Sequence, residues 1–273
     1  MRIARFAKGD GVAYGVVEGD PQTGHPGNGD EAYLGLTIAE LYGHPFGVDP
    51  GGVRLTGNSY PLAEVRLLAP VLPSKVVAAD RNYTRELDGE APPEPVLFLK
   101  PSTSVTGPGD AIKYPVKLTE RVDFEGELAV VIGRLCRQVP RERADEVIFG
   151  YACAADVTAR DLMARDGQWV RAKGFDTFCP LGPWMETAPA AADLAITTTV
   201  NGAVRARART AELPWDVAGL VSYVSNVMTL LPGDVLLTGA PREAGTGPLS
   251  HGDEVSVEIE GIGTLTNRVV IGD

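Results

Sequence analysis

Histidine and cysteine are both scarce in this 273-residue chain, at three residues each. Cys136, Cys153 and Cys179 form no CxxC pair and are odd in number. That excludes a disulfide framework and a zinc ribbon and suggests a reducing compartment. No apolar stretch approaches the roughly 18–20 residues of a membrane helix. The opening run MRIARFAKGDGVAYG has basic residues but no apolar h-region. A soluble, cytoplasmic chain without a signal peptide is therefore expected. Basic residues are in deficit, 25 against 36 acidic ones, for a formal net charge of −11. Such a surface repels nucleic acid and anionic membrane, so neither is expected as a partner. There is no internal repeat and no alternation of strand with helix, which disfavours a Rossmann fold or a TIM barrel.

What is present reads as many short strands joined by turns. Glycine (32) and proline (21) are scattered singly, and the mixture of 44% apolar and 22% charged residues is globular. Arg2–Phe6 and Val12–Glu18 read as a hairpin, residues 19–35 as a loop, Thr37–Tyr42 as a short helix and Glu64–Leu68 as a strand. A boundary near residue 70 divides a small N-terminal α+β domain, 1–70, from a main domain, 71–273. The main domain offers strands at Lys75–Ala79, Val96–Leu99, Phe124–Ile132, Gly150–Ala155, Leu194–Asn201, Asp234–Thr238, Glu254–Ile259 and Thr264–Val270. One helix is expected over Pro140–Val147. Another follows Pro214, where Val217, Leu220, Val221, Val224, Val227, Met228 and Leu231 recur at helical spacing until Pro232-Gly233 stops them. The expected class is mainly β (α+β), a mixed β-roll or sandwich with few helices.

Two segments carry chemistry. In Val122–Gly133, residues two apart on a strand face the same way, so Asp123, Glu125 and Glu127 line one face. Adjacent carboxylates repel unless a cation or solvent relieves them. The residues alone leave two readings open, a solvated strand end and a hard-cation site for Mg²⁺, Ca²⁺ or Mn²⁺. The second segment is Asp156-Val157-Thr158-Ala159-Arg160-Asp161, followed by Gln168-Trp169 and Lys173–Thr177. Asp156 ends an apolar strand, Thr158 is placed to cap a helix, and Arg160 and Lys173 suit an anionic substrate. A capped helix with surface ion pairs explains the same spacing. Arg205, Arg207 and Arg209 share a strand face, which fits a solvated strand, a subunit contact or a carboxylate trap.

Phe124–Gly133, Asp156–Asp161, Gln168-Trp169, Lys173–Phe178, Gly182-Pro183-Trp184, Leu231–Asp234, Thr238-Gly239 and Gly261–Asn267 occur in an order that resembles the fumarylacetoacetate hydrolase family. The resemblance covers about residues 70–273. The leading stretch is similar to that of bacterial members of the 2-hydroxyhepta-2,4-diene-1,7-dioate isomerase type. It implies a mixed β-roll, usually dimeric, with a divalent cation, most often Mg²⁺. It places the metal ligands on Glu125, Glu127 and Asp156, the lysine beside metal and substrate on Lys173, and a substrate-side arginine on Arg160. Tyr83, Gln168 and Thr238 fall at matching substrate-side positions. The implied reactions are C–C hydrolysis of β-diketo acids, decarboxylation of 2-oxo acids and keto–enol isomerisation. All of them pass through a carbanion or enolate beside a carbonyl, where a chelated metal acts as a Lewis acid.

The resemblance breaks at the N-Y-x-x-H-x-x-E stretch of hydrolytic members. Here it is Asn82-Tyr83-Thr84-Arg85-Glu86-Leu87-Asp88-Gly89, so the His–Glu pair that activates water is missing. Met163 replaces a glutamine, and Ala240 replaces the second threonine of T-G-T-P, leaving the pocket more apolar. Three readings follow. Non-hydrolytic enolate chemistry on a 2-oxo acid or β-dicarbonyl substrate is favoured. Hydrolysis with Glu86 as substitute base is the alternative, and a silent metal- and ligand-binding protein the third.

Overall fold

The computed structural model describes residues 1–9, 11–19, 33–46, 52–83, 93–189, 191–241 and 247–272. Strands dominate. The N-terminal part supplies β1 (Arg2–Lys8), β2 (Gly11–Glu18), β3 (Thr37–Leu41), β4 (Leu55–Pro61) and β5 (Arg66–Leu68). Then come β6 (Val76–Asp80), β7 (Val96–Lys100), β8 (Val105–Thr106), β9 (Ala111–Tyr114), β10 (Val122–Ile132) and β11 (Ile148–Ala159). Two short helices follow, α1 (Arg160–Asp166) and α2 (Val170–Lys173). The rest is β12 (Cys179–Glu186), β13 (Ala195–Val200), β14 (Ala203–Arg209), α3 (Val217–Val227), β15 (Val235–Leu237), β16 (Glu254–Ile259) and β17 (Gly263–Ile271).

They form two mixed sheets. One has twelve strands along the path β4-β3-β2-β1-β12-β11-β10-β15-β6-β7, with β5 and β8 to the side. The other has five, in the order β14-β13-β16-β17-β9. The long β10 and β11 pair antiparallel over most of their length and form the spine of the first sheet. Their period of two sorts the interior. Phe124, Leu128 and Val130 of β10, with Cys153, Ala155 and Val157 of β11, pack against Val255, Val257 and Ile259 of the second sheet. Ala129, Val131, Ala152 and Ala154 face the opposite side with Val76 and Ala78. The two sheets approach closely at Gly126, where a Cβ would lie 2.5 Å from Thr198 Oγ1. Only a glycine fits between the two glutamates of Glu125-Gly126-Glu127.

Four local expectations are corrected. Thr37–Leu41 is a strand, not a helix. Paired with β2 and β4, it is buried on both faces over its last four residues, Glu40 included, so no alternation marks it as a strand. The expected helix at Pro140–Val147 is a 3-10 turn, Arg141–Glu146. Thr158 caps nothing: β11 runs on through Ala159, which pairs with Val122, and α1 has no side-chain cap. The helix after Pro214 forms as α3, with Asp216 accepting from the Gly219 amide at 2.8 Å, but it ends at Val227: Met228 is extended and Leu230 bridges to Cys136, so the helix stops before Leu231 and Pro232-Gly233. The arginines of β14 lie on an exposed hairpin strand at the sheet edge, with Arg209 held by Asp193 at 2.6 Å, which favours a solvated strand. Among the described residues no helix is long and apolar enough to cross a membrane.

Candidate active site

Strand directions bring the start of β10 and the ends of β11, β15 and β6 to one edge of the large sheet. There the apolar face of β10 and β11 gives way to charge. Glu125 lies directly opposite Asp156, and Asp123 opposite Thr158, so Asp123, Glu125, Glu127, Asp156 and Thr158 share that face.

Basic groups cover most of these acids. Asp156, almost fully buried, receives the Lys100 ammonium on Oδ1 at 2.6 Å and the Lys173 ammonium on Oδ2. Lys173 also lies 3.6 Å from Glu125 Oε2, and Arg160 Nη2 lies 2.7 Å from Glu125 Oε1. Asp123 is paired with Arg160 at 3.3 Å and Arg121 at 3.2 Å. Burial works to protonate Asp156, but the two lysines outweigh it and hold the carboxyl below its usual range. Burial also works to discharge Lys173, but the charges of Asp156 and Glu125 outweigh it and hold the ammonium protonated.

Glu127 differs. It is buried and, among the described residues, has no cation within ion-pair distance; its Oε2 accepts one hydrogen bond, from the Gly239 amide at 2.6 Å. Burial, then the charges of Asp156 and Glu125, push its carboxyl well above the ordinary range. Gly239 has a φ of +94°, and a Cβ there would sit 3.0 Å from the Ala79 carbonyl, so glycine is required to aim this amide. The hydroxyls of Thr158 and Thr238, both buried, have no hydrogen-bond partner among the described residues.

Among the described residues no three acidic, histidine or cysteine side chains are gathered closely enough to enclose an ion, because Lys173 lies between Glu125 and Asp156. The donor set nevertheless suits a hard divalent cation. It has three carboxylates on one face, and Glu127 is a buried acid whose neighbours are mostly negative.

The structure also places the other expected residues. Met163 is half-buried with its sulfur 3.8 Å from Arg160 Nη1. Tyr83 and Thr238 are fully buried, and Ala240 is nearly so. Gln168 is exposed in the turn between α1 and α2. Glu86 lies outside the described residues. Lys100 and Phe98 have no counterpart in the sequence reading. The Phe98 ring lies 4.7 Å from the Lys173 ammonium and packs edge-on against Trp169 at 5.5 Å, forming an aromatic wall. An open cleft of about 540 Å³ lies elsewhere, lined by Lys113, Phe175, Asp176 and Ile271. It contains none of the clustered carboxylates, so the chemistry belongs at the sheet edge instead.

Known proteins resemble this chain in sequence and fold. Residues 75–270 match the fumarylacetoacetate (FAA) hydrolase C-terminal family, and residues 1–70 match the Rv2993c-like N-terminal family. The structure of 2-hydroxyhepta-2,4-diene-1,7-dioate isomerase from Mycobacterium marinum is 49% identical, with a TM-score of 0.88 over 99% of this chain and 98% of that one. Oxaloacetate tautomerase FAHD2A, mitochondrial, of Bos taurus is 42% identical over 77% of this chain and 71% of that protein. Maleylpyruvate hydrolase from Sphingobium sp. SYK-6, solved with manganese(II) and pyruvate, is 33% identical, with a TM-score of 0.76 and full coverage of both chains. With an acid-and-lysine sheet edge and matches along its whole length, the chain belongs to the fumarylacetoacetate hydrolase family and is an enzyme of that family with isomerase- and tautomerase-type relatives.

Proposed function

We propose that this enzyme interconverts the keto and enol forms of a 2-oxo acid or β-dicarbonyl substrate through an enolate, without activating water. One observation carries this reading. Two basic groups, the Lys173 ammonium and the Arg160 guanidinium, converge on Glu125 at the carboxylate platform. No histidine among the described residues hydrogen-bonds to that platform; His44 and His251 accept only the amides of Phe46 and Ile271. The site thus offers charge for an enolate but no histidine base for water. The isomerase and the tautomerase among the relatives support the same chemistry.

Glu125, Glu127 and Asp156 would hold a divalent cation, Mg²⁺ or Mn²⁺ before Ca²⁺. When bound it supplies Lewis-acid withdrawal of electrons from the 2-oxo group. The chain's own residues do the rest. Arg160, a quarter exposed, binds the substrate carboxylate in the planar geometry that suits a guanidinium. Lys173 presents a protonated ammonium to the enolate oxygen. Phe98 and Trp169 wall the site on one side, and Met163 and Ala240 keep its lining apolar. The protein works as a homodimer in this reading.

The experiment follows oxaloacetate enol by its ultraviolet absorbance with Mg²⁺ or Mn²⁺ added. The expected result is accelerated ketonisation that EDTA abolishes and that Glu125→Ala loses together with metal binding. Release of pyruvate from an acylpyruvate, with no effect on enol decay, would establish hydrolysis instead. A melting-temperature shift with no turnover of either substrate would establish a binding protein.

A further inference from the structure

The missing His–Glu pair leaves open which group moves the proton. Building on the enolate reading above, the geometry points to Asp80 as the acid/base residue that transfers the proton at C3 of the substrate. Asp80 is the last residue of β6, and its strand parity places it on the active face. Val76 and Ala78 pack on the same side as Ala129, Val131 and Ala154, whereas Val77 and Ala79 pack on the other. Asp80 therefore faces the side that Glu125, Glu127 and Asp156 face. Across the β6–β7 ladder, Ala78 pairs with Phe98 and Asp80 with Val96. Asp80 is thus one same-face step along β6 from Ala78, whose ladder partner Phe98 has its ring 4.7 Å from the Lys173 ammonium, the group that receives the enolate oxygen.

Among the described acids there that hold an ion pair, Asp80 is the most loosely held. Asp156 carries two lysines, Glu125 an arginine and a lysine, Asp123 two arginines, and Glu127 an amide. Among the described residues the one ion pair of Asp80 is with the guanidinium of its neighbour Arg81, at 3.5 Å, and its side chain is 29% exposed, enough to meet a substrate. Burial pushes its carboxyl above the ordinary range; Lys173 from α2 and Arg81 pull against this, and Asp156 from β11 adds to it. A higher value brings a carboxylate nearer the basicity that proton abstraction needs.

The strand end is held rigidly. Arg81 adopts a φ of +52°, unusual for a residue with a side chain. Asn82 is locked by its amide to the carbonyls of Thr238 at 2.9 Å and Trp215 at 2.8 Å, and by the Trp215 amide at 3.0 Å. Backbone strain that surrounding bonds enforce is characteristic of functional positions.

The step balances within the substrate and one side chain. The Asp80 carboxylate takes the C3 proton, and the C–H pair becomes the C2=C3 double bond. The carbonyl π pair moves onto the C2 oxygen beside Lys173. Returning the proton to C3 restores the ketone; protonating the oxygen gives the enol. Nothing is oxidised or reduced.

The test is exchange of the C3 protons of pyruvate for deuterium in D2O, followed by proton NMR with Mg²⁺ present. Asp80→Asn is expected to slow exchange about 100-fold or more, through kcat rather than KM. Mn²⁺ affinity by calorimetry is expected to stay unchanged in that variant, and added formate to restore exchange to Asp80→Ala. Near-normal exchange in Asp80→Asn would overturn the assignment. So would a loss in Asp80→Ala that formate does not restore, or an abolition confined to Glu86→Gln measured in parallel. Absence of exchange in the unsubstituted protein would overturn the enolate reading itself, and the role of Asp80 with it.

Discussion

Lys100 carries its charge where no water reaches it. Its ammonium donates to Asp156 at 2.6 Å and to the Val157 carbonyl at 3.1 Å, and the side chain is fully buried. Removing one partner of a buried pair leaves the other charge uncompensated. Lys100→Met is therefore expected to lower stability by about 3 kcal/mol, read as a fall in the urea midpoint. Glu40 in the N-terminal part makes a contrasting case. Lys8 and then Asn58, whose amide donates at 3.0 Å, hold its carboxyl below the usual glutamate range against the burial that would raise it. A depressed folded-state value adds stability above the unfolded-state value, and that stability disappears as pH falls through the folded one. Glu40→Gln should therefore melt a few degrees lower at pH 7. That gap should close on acidification below about pH 4, the ordinary glutamate range.

β10 shows how one element serves two purposes. Its even-numbered residues pack under the second sheet, while Glu125 and Glu127 face the site, with Gly126 at the closest approach between the layers. Gly126→Ala forces its new methyl onto Thr198 Oγ1 and is expected to cost about 1–3 kcal/mol. Thr198→Ala removes the clashing atom, so the double variant should lose less than the sum of the singles, as measured by a denaturation cycle. The shared carboxylate face of this strand was legible in the sequence, because strand parity is a local property. The strand at Thr37–Leu41 was not, since both of its faces are buried over the last four residues, which erases the alternation that marks a strand. Thr158 was misread for a related reason: the pairing of Ala159 with Val122 extends β11 past the point where local signals end it.

For the whole molecule, the cation proposed for the carboxylate edge would bind the folded state and not the unfolded chain. Mn²⁺ at about 100 times its dissociation constant should stabilise the protein by about 2.7 kcal/mol, and EDTA should reverse it. For a chain of this size that is a rise of several degrees in melting temperature by scanning calorimetry. Light scattering should return twice the 28.9 kDa chain mass if the homodimer forms.

The sequence by itself determined the family, the strand-rich class, the face shared by Glu125 and Glu127, and the scarcity of histidine that turns attention from hydrolysis to enolate chemistry. These depend on residue identity and on periods of a few residues, which survive without a fold. Only the tertiary structure decided that Lys100 clamps Asp156 from 56 residues away, that the Gly239 amide reaches Glu127 across 112, and that Asp80 shares the active face. Such partnerships are set by strand order and register, and nothing local in the chain encodes which strands will lie side by side.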